Sequence, residues 1–216
     1  MRYLLLILFI TLITIFSCKK EASKYNISGK VVNKQLQNSL SGVKVYLDTK
    51  KVENGIYNSN FVNIASTSTA SDGSFKIVIT EEQVSEYQFR IKETGYYDIE
   101  EIVSVDNVHN DNGYTKNFEL IQQSFIELNV KNTMPQGIDD KITYRYTNVD
   151  VNGKGCCNNS PIVGVGYDYV AHHSCSVSSH KWIYLAWTIS KGSTQVTKND
   201  SIWTGNGSTV IYNINY

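Results

Sequence analysis

The 216-residue chain carries 20 Lys and Arg against 20 Asp and Glu, a balance that gives no electrostatic footprint for nucleic acid or for an acidic partner. Its 15 tyrosines, set among many Val, Ile and Thr with only 2 prolines, are strand composition. A Tyr-rich contact surface is the alternative meaning of the same count. Beyond the first residues, no segment is long and apolar enough to cross a bilayer as a helix, which takes about 20 residues.

The chain opens MRYLLLILFITLITIFSCKK. Arg2 precedes an uncharged apolar run, Tyr3 to Phe16, that is short for a span and suits the h-region of a signal peptide. Ile15-Phe16-Ser17-Cys18 then resembles the lipobox of bacterial lipoproteins, here of the Bacteroidetes type. The resemblance implies cleavage before Cys18 by signal peptidase II. It also implies a covalent diacylglycerol lipid on the Cys18 sulfur and a further acyl chain, such as palmitate, on the new N-terminus. Several chains make a stable membrane anchor, at about 0.8 kcal/mol per buried methylene. The alternative is an ordinary signal peptide that happens to contain a cysteine. Residues 1–17 are therefore read as signal peptide and 18–23 as lipidated tether. Lys19 stands where an aspartate would signal inner-membrane retention, so the expected address is the outer membrane. Glu21 alone hints at surface export, and the periplasmic and surface sides both stay open.

Residues 24–121 are expected to form a first antiparallel β-sandwich. Ile27, Gly29 and Val31 alternate with polar neighbours, as do Val43, Val45 and Leu47, then Phe75, Ile77 and Ile79, then Tyr87, Phe89 and Ile91. Each set has the two-residue period of a strand with one buried face. Ser71-Asp72-Gly73 is turn chemistry before the third set. Glu81 to Glu86 is the one candidate for a helical turn, and Asp48 to Ile64 reads as an extended loop. The residues Gly29, Gly42, Val43, Val45, Thr69, Asp72, Gly73, Phe75, Gly95 and Tyr96 resemble the pattern of the carboxypeptidase regulatory-like, transthyretin-like domain. That resemblance implies a spacer or stabilising β-sandwich and is almost silent on activity.

Residues 122–216 are expected to form a second β-sandwich of unknown family, joined at Gln122-Gln123-Ser124 without a long linker. Ile126, Leu128 and Val130 start it, Lys131 to Gly137 is turn-rich, and Ile142 to Val149 follows. Val163, Val165, Tyr167 and Tyr169 are assigned to one face of the next strand. In KWIYLAWTIS, Ile183, Leu185, Trp187 and Ile189 share one face, which makes Trp187 a core residue. Trp182 and Tyr184 share the other face. The favoured reading covers that face with a loop or with the first domain. Left open to solvent, Trp182 and Tyr184, with Trp203 beside its turn, would offer rings on which a glycan could stack. Asp200-Ser201-Ile202 matches the short acceptor pattern of Bacteroidetes O-glycosylation and equally reads as an ordinary turn. Val210, Tyr212, Ile214 and Tyr216 make the last strand.

Catalytic constellations are missing from this pattern: there is no G-x-S-x-G elbow, no H-E-x-x-H and no P-loop. Asp150 to Gly155 begins like a calcium loop, but Lys154 and Pro161 stand at ligand positions. Three cysteines remain beyond Cys18. The natural disulfide joins Cys175 to Cys156 or Cys157, closing a loop of about twenty residues worth roughly 3 kcal/mol. It requires a bend near Gly164–Gly166, because a straight strand would hold the two ends apart. The competing reading is a zinc site from Cys157, His172, Cys175 and His180, with the right ligand types at unfamiliar spacing. Free or poorly oxidised thiols are a further alternative, ranked ahead of the metal.

The chain is thus expected to be all-β: two consecutive antiparallel β-sandwich domains after a cleaved signal peptide. It is read as a lipid-anchored envelope protein without cofactor, acting as a non-enzymatic binding or structural module. Its partners are the membrane, through the anchor, and an envelope protein or glycan, with no nucleic acid. The alternative is a glycan- or metal-binding accessory lipoprotein. A hydrolase comes third and would need His172 or His180 beside an acid and a nucleophile.

Overall fold

The computed structural model describes residues 22–53, 56–148, 157 and 159–216. The signal peptide, Cys18, Cys156 and the calcium-loop-like stretch from Asp150 lie outside the described residues. Among the described residues, no helix is long and apolar enough to cross a membrane.

The first sandwich contains β1 (Lys24–Asn33), β2 (Lys44–Glu53), β3 (Ile56–Tyr57), β4 (Val62–Ser68), β5 (Ser74–Thr80), β6 (Val84–Ile91) and β7 (Ile99–Val103). It closes with one helical turn, α1 (Val105–Val108), then β8 (Tyr114–Thr115) and β9 (Phe118–Leu120). β5 pairs antiparallel with β1, whose other edge takes β8 and β9 in parallel. The facing sheet runs β4-β2-β6-β7, with β3 on the far end of β2. Alternation sends Ile27, Val31, Val45, Leu47, Phe75, Tyr87, Phe89 and Ile91 into one core, where Phe89 meets Phe118 edge to face. Gly29 shares that inward face for a different reason. A Cβ there would overlap the carbonyl of Lys116, whose N–H donates to the Ser28 carbonyl at 2.8 Å. The Asp72 carboxylate accepts from the Ser74 N–H and hydroxyl, which fixes the 71–73 turn.

Two expectations for this half are corrected. Glu81 to Glu86 forms no helical turn, because β6 starts at Val84 and pairs with the end of β2; the helical turn is α1, capped by the Ser104 hydroxyl. The segment Asp48 to Ile64 is not an extended loop. β2 runs on to Glu53, and β3 and β4 fold back on it. Its Asp48 end is buried and held by Arg90 at 2.8 Å and Asn63 at 2.8 Å.

The second sandwich has one sheet of β13 (Val170–Ser178), β10 (Gln123–Lys131) and β16 (Thr209–Asn215), with β10 central, antiparallel to β13 and parallel to β16. The other is an antiparallel sheet in the order β12 (Ile162–Val165), β11 (Lys141–Tyr146), β14 (Lys181–Lys191), β15 (Thr194–Thr204). Ile126, Leu128, Val130, Ile142, Ile183 and Leu185 are fully buried between them. The fold is thus all-β, as expected. Some pairs are parallel, however, because β1 and β10 each receive a returning strand on one edge.

The single face assigned to Val163, Val165, Tyr167 and Tyr169 breaks. β12 ends at Val165, and a turn with Gly166 at φ 122° carries the chain to the opposite sheet. Val163, Val165 and Tyr167 are exposed, whereas Tyr169 packs on the core, with its ring where a Gly164 Cβ would stand.

The two cores gather residues from Tyr25 to Leu120 and from Ile126 to Tyr216. Gln122 ties them. Its N–H donates to the Gln35 side-chain carbonyl, and its own carbonyl accepts the Ser179 N–H at 2.8 Å. Its side-chain oxygen accepts from Asn33 and from the Ser179 hydroxyl.

Candidate functional site

The cysteine and histidine cluster resolves into separate contacts. Cys157 is bonded to Cys175, their Cα atoms 5.2 Å apart, and the turn at Gly166 supplies the bend this requires. His172 and His173 point to opposite sides of β13. The exposed His172 Nδ1 lies 2.7 Å from the Asn129 side-chain oxygen. The inward His173 Nε2 lies 2.6 Å from the Tyr144 hydroxyl, which also meets the Tyr169 hydroxyl at 3.1 Å. Burial, then the Tyr169 contact, pushes the Tyr144 phenol well above its ordinary pKa. His180 lies at the junction end, its Nδ1 3.1 Å from the Ser179 hydroxyl. The proposed zinc set of Cys157, His172, Cys175 and His180 is therefore not brought together. Its two sulfurs are spent on each other, and strand alternation and the 179–180 connection separate its imidazoles. Among the described residues no group of three His, Cys, Asp or Glu is placed to hold a metal.

The aromatic residues, by contrast, converge. β14 and β15 form one ladder from Lys181 opposite Thr204 to Lys191 opposite Thr194. Alternation turns Ile183, Leu185 and Ile202 inward and Trp182, Tyr184 and Trp203 outward. Trp182 and Trp203 are direct cross-strand partners, their rings 5.3 Å apart at 52°. The expected cover over this face is absent from the described residues: Trp182 and Tyr184 are each 49% exposed and Trp203 is 44% exposed. Trp187 packs against the core from the inner face, edge-on to Tyr212. The His180 ring stands edge-on to Trp203 at 6.2 Å and extends the aromatic line by one more ring. Its backbone takes φ 53° in the two-residue connection between β13 and β14.

This face is held in place from beneath and from the side. Asn148 clips the backbone of β14, donating to the Trp182 carbonyl at 2.9 Å and accepting the Tyr184 N–H at 2.6 Å. A groove of about 560 Å³ opens beside Tyr184, lined by Thr147, Ala186, Asn199, Asp200 and Ser201. Asp200-Ser201-Ile202 is strand here, not the turn expected, with Ser201 opposite Tyr184. The Tyr212 hydroxyl donates to Asp200 at 2.5 Å, which holds that carboxyl below its usual range. Burial, reinforced by Asp200, pushes the Tyr212 phenol up to about 12. An apolar ring platform bordered by a few oriented hydroxyl and amide groups is the composition of a small-ligand site.

The sequence reading missed the pairing of Trp203 with Trp182, although a signal for it was present. Lys191-Gly192-Ser193-Thr194 is a two-residue hairpin loop, with Gly192 at φ 55° in its first position. Counting back from that loop sets the register that places the two tryptophans opposite each other.

No protein-family model matches the chain, and no curated protein matches it. Similar solved structures include the Bacillus anthracis TIE protein, at 12% identity and TM-score 0.38, over 89% of this chain and 34% of that one. The shaft pilin spaA from Lactobacillus rhamnosus GG is similar at 9% identity and TM-score 0.36, over 89% of this chain and 97% of that one. A 3-chlorocatechol 1,2-dioxygenase from Rhodococcus opacus 1CP is similar at 10% identity and TM-score 0.34, over 48% of this chain and 61% of that one. The chain thus spans about a third of the first of these proteins. At these levels no activity or partner transfers to it.

Proposed function

We propose that this is a lipid-anchored protein of the bacterial envelope, tethered at Cys18 to the outer membrane. In this reading a transthyretin-like β-sandwich carries a second β-sandwich that binds glycan without catalysing a reaction. The observation that carries the binding assignment is the exposed Trp182–Trp203 pair with Tyr184, on a hairpin whose inner face is locked into the core. Covering large apolar rings that stand half open to water removes apolar surface from it, which is favourable. A pyranose ring offers a flat C–H face to cover them and hydroxyls for Thr147, Asn199 and Ser201. The lipobox residues and the disulfide, a bond of exported proteins, support the envelope address.

Titration of the mature protein with a broad glycan panel, followed by tryptophan fluorescence, tests the binding. Binding should shift the emission, and Trp182→Ala or Trp203→Ala should weaken it at least ten-fold with the fold unchanged by circular dichroism. Silence across the whole panel removes the glycan assignment. The anchor is tested separately. Cys18→Ala should leave the precursor unprocessed or release the protein from membranes, and a mature-sized mutant still pelleting with membranes would refute lipidation.

A further inference from the structure

We infer that the aromatic strip and the cleft between the two sandwiches form one composite site for an acidic oligosaccharide. Its rings lie along Tyr184, Trp182 and Trp203, and its anionic group is held at Lys34. The inference rests on the glycan reading above and adds the charge of the ligand, its length and a contribution from the first domain. The cleft, about 220 Å³, is lined by Lys34 and Gln35 of the first sandwich and by Ser179, His180 and Lys181 of the second. No Asp or Glu lines it. Lys34 is exposed and enters no ion pair among the described residues.

His180 belongs to both parts. It lines the cleft, and its ring meets Trp203 edge-on at 6.2 Å, so the aromatic strip ends at the cleft that Lys34 lines. From Lys181 to Ala186 the strand under the strip runs five residue steps, about 17 Å, which is longer than one sugar ring. Its two ends differ in chemistry. The groove end offers hydroxyl and amide groups, and its one carboxylate, Asp200, is tied to Tyr212. The junction end offers the Lys34 ammonium. A chain of sugars bearing carboxylates fits this polarity, because stacking and hydroxyl contacts serve any pyranose while Lys34 rewards only an anionic one. Lys34 is open to solvent, so its contribution is screened by salt.

The test uses the mature full chain and galacturonate oligomers of one to six units, against neutral cello-oligomers of the same lengths, each at low and high salt. A glutamate hexapeptide controls for charge alone. Acidic hexamers should bind at least ten-fold tighter than neutral ones, with the preference shrinking in salt and affinity rising with length. Lys34→Gln should abolish the acid preference and leave neutral binding intact, while Trp182→Ala should weaken both series. Neutral binding without any acid preference overturns this inference and leaves the glycan reading standing, as does a monomer that binds as tightly as the hexamer. A Lys34→Gln variant that keeps the preference, or equal binding of the glutamate peptide, also overturns it. No binding by any of these oligomers overturns this inference, and the glycan reading then stands or falls on the broad panel.

Discussion

Asp140 shows how one residue organises the end of the second sandwich. Its carboxylate is buried and accepts the Gln136 N–H at 2.9 Å and the Asn132 amide at 2.8 Å, with the Lys191 ammonium at 3.8 Å. These contacts, the Gln136 bond foremost, hold its pKa below the usual carboxylate value of about 3.9. The native state therefore favours the ionised form more than the unfolded chain does. The stability this contributes is fully present above the unfolded pKa and is lost as pH falls through the lower native one. Asp140→Asn removes the charge at nearly constant volume and leaves the Lys191 ammonium without its carboxylate. Melting temperatures taken between pH 7 and pH 2 should show the variant less stable at pH 7, with a shallower decline in acid. Parallel curves for the two proteins would mean that Asp140 does not supply this dependence. The disulfide choice belongs to the same scale. Spacing alone left Cys156 and Cys157 equivalent, and only the three-dimensional path through the Gly166 turn selects Cys157.

At the scale of elements, what was legible depended on whether a strand has one buried face. β1, β5, β6 and β10 each show strict alternation because a core lies on one side and water on the other. β4 reads VNIASTS and is half-buried at best along its length, so no period marks it. β3 stands at a rim where Ile56 and Tyr57 are exposed, and its apolar pair signals no core. The close approach of Lys116 to Gly29 joins residues 87 apart, which no local pattern can express. The candidate site divides the same way. Alternation placed Trp182 and Tyr184 on the face opposite Trp187, but whether a third layer covers that face is decided by chain elsewhere. The Gly192-Ser193 hairpin is the one local feature from which the Trp182–Trp203 pairing follows.

At the scale of the whole molecule, the composite site depends on the angle between two sandwiches joined by residues 121–122. Backbone bonds from Lys34 to Leu120 and from Tyr97 to Ile121 end the first domain, and β10 begins at Gln123. The Gln122 side chain reaches both sides, accepting from Asn33 of the first domain and from Ser179 of the second, beside the backbone bond from the Gln123 N–H to the Gly95 carbonyl. Each such bond is worth about 1 kcal/mol net, so their loss loosens an orientation without unfolding a core. Gln122→Ala should leave the melting of both sandwiches nearly unchanged and broaden the interdomain distances seen by small-angle scattering. It should also lower the affinity for acidic oligomers several-fold, towards that of Lys34→Gln, because Lys34 is no longer held across the cleft from His180. Neutral oligomers, which need only the second sandwich, should bind the variant as they bind the parent. If the broadened variant kept its acid preference, the anionic group would have to be held within the second sandwich, and the first domain would act as a spacer alone.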